Sequence, residues 1–290
     1  MLTYPGERLT MNHTRREILG ALLATAPAAL AAPAGAVKRY VRFQRGSAIA
    51  YGLLDGDSVR ELRGDLFARP METGTVHKLA DLKLLYPCRP PKVLAVGINY
   101  RSHLGNAKPP EHPEIFYKPI SALTNPGDPI LLPKDSTNVH YEGELVLVIG
   151  KPVRNALVAE ARAAIFGVTC GNDVSEREWQ NGPRKDMQWW RAKGADTFAP
   201  LGPVIARGLD YGKLLLQTRL NGNVVQKQNT SDLIYDLPTI VSFVSHYVTL
   251  AAGDVIYTGT PGHTARMKPG DVVEVDIEGI GVLRNPVQAA

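Results

Sequence analysis

The chain has 290 residues, enough for one large domain or one large plus one small, and its 27 glycines, 22 prolines and many short Val/Ile-rich runs point to β-structure rather than helix. Thirty-three basic residues against 28 acidic ones give a net charge of +5 with no Lys/Arg block. No aromatic-basic repeat accompanies that charge, so nucleic acid is not the expected partner; the balance suits small anionic ligands.

The N-terminus differs in kind. From Thr14 the chain reads TRREILGALLATAPAALAAPAGA: Arg15 and Arg16, an apolar stretch from Ile18 to Ala32, then small residues ending at Ala36. A basic start, a short apolar core and an A-x-A site predict a secretory signal over 1–36, and the paired arginines give it the twin-arginine form. The apolar core is too short to span a bilayer comfortably, so no permanent membrane anchor is expected. Twin-arginine export carries folded proteins, which places the mature chain in the periplasm or outside the cell; an unused signal would leave it cytoplasmic. A simple tail is the alternative.

Residues 37–87 predict a small β-rich domain, with turns at Arg45-Gly46 and Asp55-Gly56. His77 stands alone beside Lys78 and reads as a surface residue. YPCRPPK, Tyr86 to Lys92, forms a joint to a larger domain over 88–290. Cys88 and Cys170, the only cysteines, read as free thiols, the latter within an apolar run.

In the larger domain, KVLAVGINYRSH is a strand running into a turn and ending at His103, a group whose ordinary pKa suits proton transfer. The Pro-rich loop Ala107 to Pro119 follows. HYEGELVLVIG, His140 to Gly150, then reads as a strand buried on both faces with Glu142 and Glu144 on one side of it. Two unpaired carboxylates there would cost several kcal/mol or take up protons unless a cation lay between them. A solvated edge-strand pair is the competing reading. The contrast is VVEVDIEG, Val272 to Gly279, where Glu274, Asp276 and Glu278 alternate with apolar residues as on a half-solvated strand.

A third acid, Asp173, follows the next apolar run in GNDVSEREWQ. Ser175 and Glu178 have capping-box spacing, which leaves Asp173 free for another task. Glu142, Glu144 and Asp173 would make an all-oxygen site, favouring Mg²⁺, with Mn²⁺ or Ca²⁺ as substitutes, over Zn²⁺. Three carboxylates around a divalent ion leave about one negative charge, so an anionic substrate wants a nearby cation, and Lys193 is the candidate.

Six pieces in order, GINYRSH (97–103), KPISAL (118–123), YEGEL (141–145), GNDVSEREWQ (171–180), RAKGADTFAPLGP (191–203) and TGTP (258–261), make the chain from Lys92 to Val287 resemble the fumarylacetoacetate hydrolase superfamily. The resemblance implies a mixed β-sandwich roll preceded by a small β domain, usually dimeric. It implies Glu142, Glu144 and Asp173 as metal ligands, His103 and Lys193 as catalytic groups, and Tyr100, Gln180, Lys193 and Thr260 around the substrate. The activity implied is metal-dependent C–C hydrolysis of acylpyruvate or β-diketone compounds, substrates that are small anionic 2-oxo acids, through an enolate. Decarboxylation or isomerisation of related 2-oxo diacids is the alternative, and a non-catalytic binding protein on the same fold is the reading from another class.

Two positions depart from that pattern. Many relatives have a Glu three residues after the histidine to orient it, where this chain has Asn106; Glu111 or Glu114 could substitute. His263 stands where relatives commonly have Gly, and either narrows the pocket or offers another base.

Overall fold

In the computed structural model, which describes residues 36–290, the strand Gly143–Ile149 lies inside a twelve-stranded sheet, and every one of its residues is buried. Leu145, Leu147 and Ile149 point into a core shared with the helix Leu237–Tyr247 and a second sheet. Val146 and Val148 point the other way, into a core with Tyr257 and Ile205. The alternation of a strand thus supplies both faces.

Both neighbours of this strand, Ile165–Asn172 and Val255–Tyr257, run antiparallel to it. On one side the sheet continues through Ala199–Arg207 to the N-terminal strands Lys38–Arg45, Ala48–Asp55, Ser58–Arg63 and Met71–Lys78. On the other it ends with Val93–Gly97 and Glu114–Lys118. The small N-terminal β segment therefore extends the main sheet, through pairing of Lys38–Arg45 with Ala199–Arg207. The expected signal at 1–36 lies outside the described residues but for Ala36. Among the described residues no helix is long and apolar enough to cross a membrane.

The second sheet has five strands, ordered Asn223–Asn229, Leu215–Leu220, Val272–Ile277, Gly281–Ala289 and Ile130–Leu132. In Val272–Ile277, Val273, Val275 and Ile277 are buried, while Glu274 and Asp276 face Arg219, with Asp276 at 2.6 Å. The helix Leu237–Tyr247 starts where Asp236 accepts a hydrogen bond from the Thr239 N–H at 2.9 Å, with Pro238 in the first turn.

One glycine fixes how the sheets meet. A Cβ on Gly143 would lie 2.0 Å from Thr218 Oγ1 on the second sheet, so only glycine lets the two layers approach there. Cys88 and Cys170 are buried free thiols, and burial pushes the Cys88 thiol up to about 12. His77 departs from the surface expectation. Its strand places it opposite Val59, its side chain is only 8% exposed, Nε2 lies 2.7 Å from Glu61 Oε2, and its ring meets Phe43 edge-on.

The buried strand sets a stability test. Leu147→Ala is expected to lower the unfolding free energy by about 3 kcal/mol in urea titrations, whereas Glu274→Gln, on the polar face of the second sheet, is expected to stay within about 1 kcal/mol. Equal losses would contradict the assignment of the core.

Candidate active site

Strand register assembles the site. Gly143 pairs with Asn172 and Glu144 with Gly171, so the residue beyond Asn172, Asp173, falls opposite Glu142. The Asp173 N–H donates to the Glu142 carbonyl at 2.9 Å. Glu142, Glu144 and Asp173 are buried, and one carboxylate oxygen from each lies within 4.8 Å of the others.

Three cations meet two of these acids, Glu142 and Asp173. Lys193 Nζ donates to Glu142 Oε2 and Asp173 Oδ2, both at 2.7 Å. Lys118 Nζ donates to Asp173 Oδ1 and to the Lys193 carbonyl. Arg177 Nη2 donates to Glu142 Oε1 and to Thr264 Oγ1. Among the described residues no cation forms an ion pair with Glu144; its Oε2 accepts only the Gly259 N–H, at 2.7 Å, and Lys193 acts on it only at longer range.

Charge follows this geometry. Burial alone would raise the Glu142 carboxyl, but Arg177 and then Lys193 outweigh it and hold it at about 2. For Glu144, burial, Asp173 and Glu142 all push the same way, so its carboxyl is raised well above the ordinary value. Burial would lower Lys193, yet Asp173 and Glu142 outweigh it and raise it. Burial prevails at Lys118, whose ammonium is lowered despite Asp173.

A cavity of about 280 Å³ opens beside the acids. Glu142, Glu144, Arg177, Gln180 and Lys193 line its charged side; Val96, Ile98, Leu104 and Trp189 line an apolar side. Trp189 packs edge-on against Phe116, with ring centroids 5.8 Å apart. His103 and Thr260 border the same cavity. His103 sits on the short helix Arg101–Leu104, with Nδ1 against the Gly262 carbonyl. Thr260 Oγ1 donates to the Gly143 carbonyl at 3.0 Å, and Gln180 Oε1 accepts from Arg177 Nη1 at 2.7 Å.

The structure thus brings together Glu142, Glu144, Asp173, Lys193, Gln180, Thr260 and His103. Tyr100 does not line the cavity: its ring is fully buried in the main core, and its hydroxyl has no hydrogen-bond partner among the described residues. Its backbone bridges Leu233, and burial and then the charge of Glu144 raise its hydroxyl. His263 is exposed and does not line the cavity, so it neither narrows the pocket nor faces it as a base. The expected capping box is also replaced. Glu176 caps the helix Arg177–Gln180 through the Trp179 N–H at 2.8 Å, while Ser175 Oγ donates to the Asp173 carbonyl.

Two residues that the sequence reading left out prove central, Lys118 and Arg177. Lys118 precedes a proline in KPISAL, where nothing local marks a buried lysine. Arg177 lies in SEREWQ, which reads as a solvated helix face. Only the fold shows that both point at acids.

The donor set fits a hard divalent cation. It is all oxygen, it has no histidine or cysteine within it, and one carboxylate lacks a counter-charge. In metal-free buffer the same crowding has a pH signature. Glu144 is raised in the folded state, so the unfolded chain releases that proton first, and stability falls as pH climbs from about 4.5 through the raised folded value. Glu144→Gln is expected to flatten that fall and to raise the melting temperature at neutral pH. A variant less stable than its parent in metal-free buffer would contradict the crowding.

Comparison with known proteins places this site. Residues 92–288 match the family model described as fumarylacetoacetate (FAA) hydrolase C-terminal, and residues 38–87 match one described as Rv2993c-like, N-terminal. The structure of a protein named 5-carboxymethyl-2-hydroxymuconate delta-isomerase, from Mycobacterium smegmatis, is 44% identical with a TM-score of 0.82, covering 87% of this chain and 100% of that one. A Rattus norvegicus protein named oxaloacetate tautomerase Fahd2a, mitochondrial, is 37% identical over 211 residues, 69% of this chain and 67% of the relative. A maleylpyruvate hydrolase from Sphingobium sp. SYK-6, solved with manganese(II) and pyruvate, is 27% identical with a TM-score of 0.72, covering 87% of this chain and 99% of that one. With nearly two hundred consecutive residues matched and the site's acids within them, the chain belongs to the fumarylacetoacetate hydrolase family.

Proposed function

We propose that this chain is a divalent-metal-dependent enzyme that transfers a proton at the carbon beside the carbonyl of a small 2-oxo acid, interconverting its keto and enol forms. The observation that carries the reading is that His103 lines the same cavity as Glu142 and Glu144, on which the third carboxylate, Asp173, converges. Glu142, Glu144 and Asp173 would hold Mg²⁺ or Mn²⁺. When bound, that ion supplies Lewis-acid stabilisation of the negative charge that develops on the substrate's carbonyl oxygen.

The chain's own residues do the rest. His103 Nε2 removes a proton from C3, and the C–H electron pair becomes the new C2–C3 bond while the carbonyl pair moves onto oxygen. That oxygen then takes the proton back from the His103 imidazolium, which completes the enol and restores the neutral base, and the reverse steps restore the ketone. Lys193 adds a positive charge beside the developing oxyanion, and Arg177 with Gln180 presents donors for a carboxylate. Val96, Ile98, Leu104 and Trp189 shield the far side from water.

Relatives named as tautomerases and isomerases, at 37% and 44% identity, support this reading. The hydrolytic C–C cleavage expected from the sequence shares the same enolate and is the second reading, favoured by the likeness to the maleylpyruvate hydrolase. In that case His103 would activate a water that attacks the acyl carbonyl.

A panel of oxaloacetate, acylpyruvates and 2-hydroxydienedioates with Mg²⁺ or Mn²⁺ tests both. Keto–enol exchange that EDTA abolishes and Mn²⁺ restores is the expected result. His103→Ala should lower turnover by about 10²–10⁴-fold. Turnover unchanged by EDTA, or by loss of His103, would contradict the proposal, and C–C cleavage faster than enolisation would favour the second reading.

A further inference from the structure

We propose that the backbone carbonyl of Gly262, and no side chain, orients His103 and fixes its tautomer, so that the chain dispenses with the carboxylate partner absent at Asn106. His103 Nδ1 is in hydrogen-bond contact with the Gly262 carbonyl. A carbonyl oxygen only accepts, so Nδ1 must carry the proton, and Nε2 is left with its lone pair as the basic nitrogen. The side chains that could have served instead are elsewhere. Asn106, Glu111 and Glu114 are exposed, and none of them bonds His103 among the described residues.

Both backbone polar groups of Gly262 are used on the same short helix. The Gly262 N–H donates to Ser102 Oγ at 3.3 Å while its carbonyl takes His103. This aim needs a left-handed backbone: Gly262 has φ +58°, and a Cβ there would meet nothing within 4 Å, so conformation rather than space favours glycine.

The turn is in turn tied to the acids. Gln226 Nε2 donates to Thr260 Oγ1 at 2.9 Å and to the Pro261 carbonyl at 2.7 Å, and Thr260 Oγ1 donates to the carbonyl of Gly143, which separates Glu142 from Glu144. A continuous set of hydrogen bonds therefore registers the base against the acid pair. The far side of the helix is held as well, by Asp232 Oδ2 accepting from the Ser102 N–H at 2.9 Å and by Arg101 Nη1 donating to the Leu233 carbonyl at 2.7 Å.

His103 as the base rests on the function proposed above; the tautomer does not, and the two fail separately. Full-length protein labelled with ¹⁵N-histidine is measured by long-range ¹H–¹⁵N correlation near pH 8.5, about two units above the ordinary histidine value. The His103 signals are identified by their loss in His103→Gln. The expected result is a protonated, pyrrole-type Nδ1 and an unprotonated, pyridine-type Nε2. The reverse assignment, or averaged signals from both nitrogens, overturns the proposal whatever the enzyme turns over; the expected tautomer in a protein without turnover sinks only the functional reading. As a second arm, Asn106→Glu should leave the tautomer unchanged and turnover within about twofold, whereas a rise of about tenfold, the scale of a missing outer carboxylate partner, would show that the position was vacant after all.

Discussion

Three carboxylates buried within 4.8 Å of one another are the constraint on which the structure turns. Like charges at that separation in a dry interior repel strongly, and a fold that holds them must neutralise them from several directions. Lys193, Lys118 and Arg177 answer Glu142 and Asp173 from three different segments of chain. Glu144 receives only a backbone N–H, and its raised carboxyl records the charge that is still wanted there. The site is thus organised around a gap in its own electrostatics, and a divalent ion with an oxygen-rich ligand is the chemistry that completes it.

The fold delivers this cluster through sheet geometry. Antiparallel register carries Asp173 opposite Glu142, and strand alternation puts both glutamates on one side. Gly143 between them lets the second sheet come close enough for Gln226 to accept the Gly143 N–H, while Thr260, in the turn after Val255–Tyr257, donates to the Gly143 carbonyl. Burial of Leu145, Leu147 and Ile149 on that same strand gives the acids a rigid base. Packing and catalysis therefore share one strand, and the stability of the core is what keeps the carboxylates in place.

The parts of this arrangement legible in the sequence were those that repeat along the chain. Period-two alternation marked Glu142 and Glu144, the doubly buried strand and the half-polar strand Val272–Ile277. The mainly β architecture followed from composition, and the ordered motifs led to Asp173, Lys193, Gln180 and Thr260. What the sequence hid depends on contacts between distant segments. Lys118 and Arg177 look like ordinary surface charges until their strands and helix are packed. His77 looks exposed until its strand pairs beside Val59. Tyr100 lies within a site motif, yet its ring is buried in the core. The Glu176 cap was masked because Ser175 and Glu178 happen to have the right spacing. A backbone group such as the Gly262 carbonyl leaves no trace in sequence beyond a glycine.

The most direct test of the account is a crystal structure of the protein soaked with Mn²⁺, read from its anomalous difference map. The account requires one strong peak touching an oxygen of each of Glu142, Glu144 and Asp173, with the cavity that His103 borders on its open side. A peak elsewhere, or carboxylates that keep their distances while no ion enters among them, would contradict it.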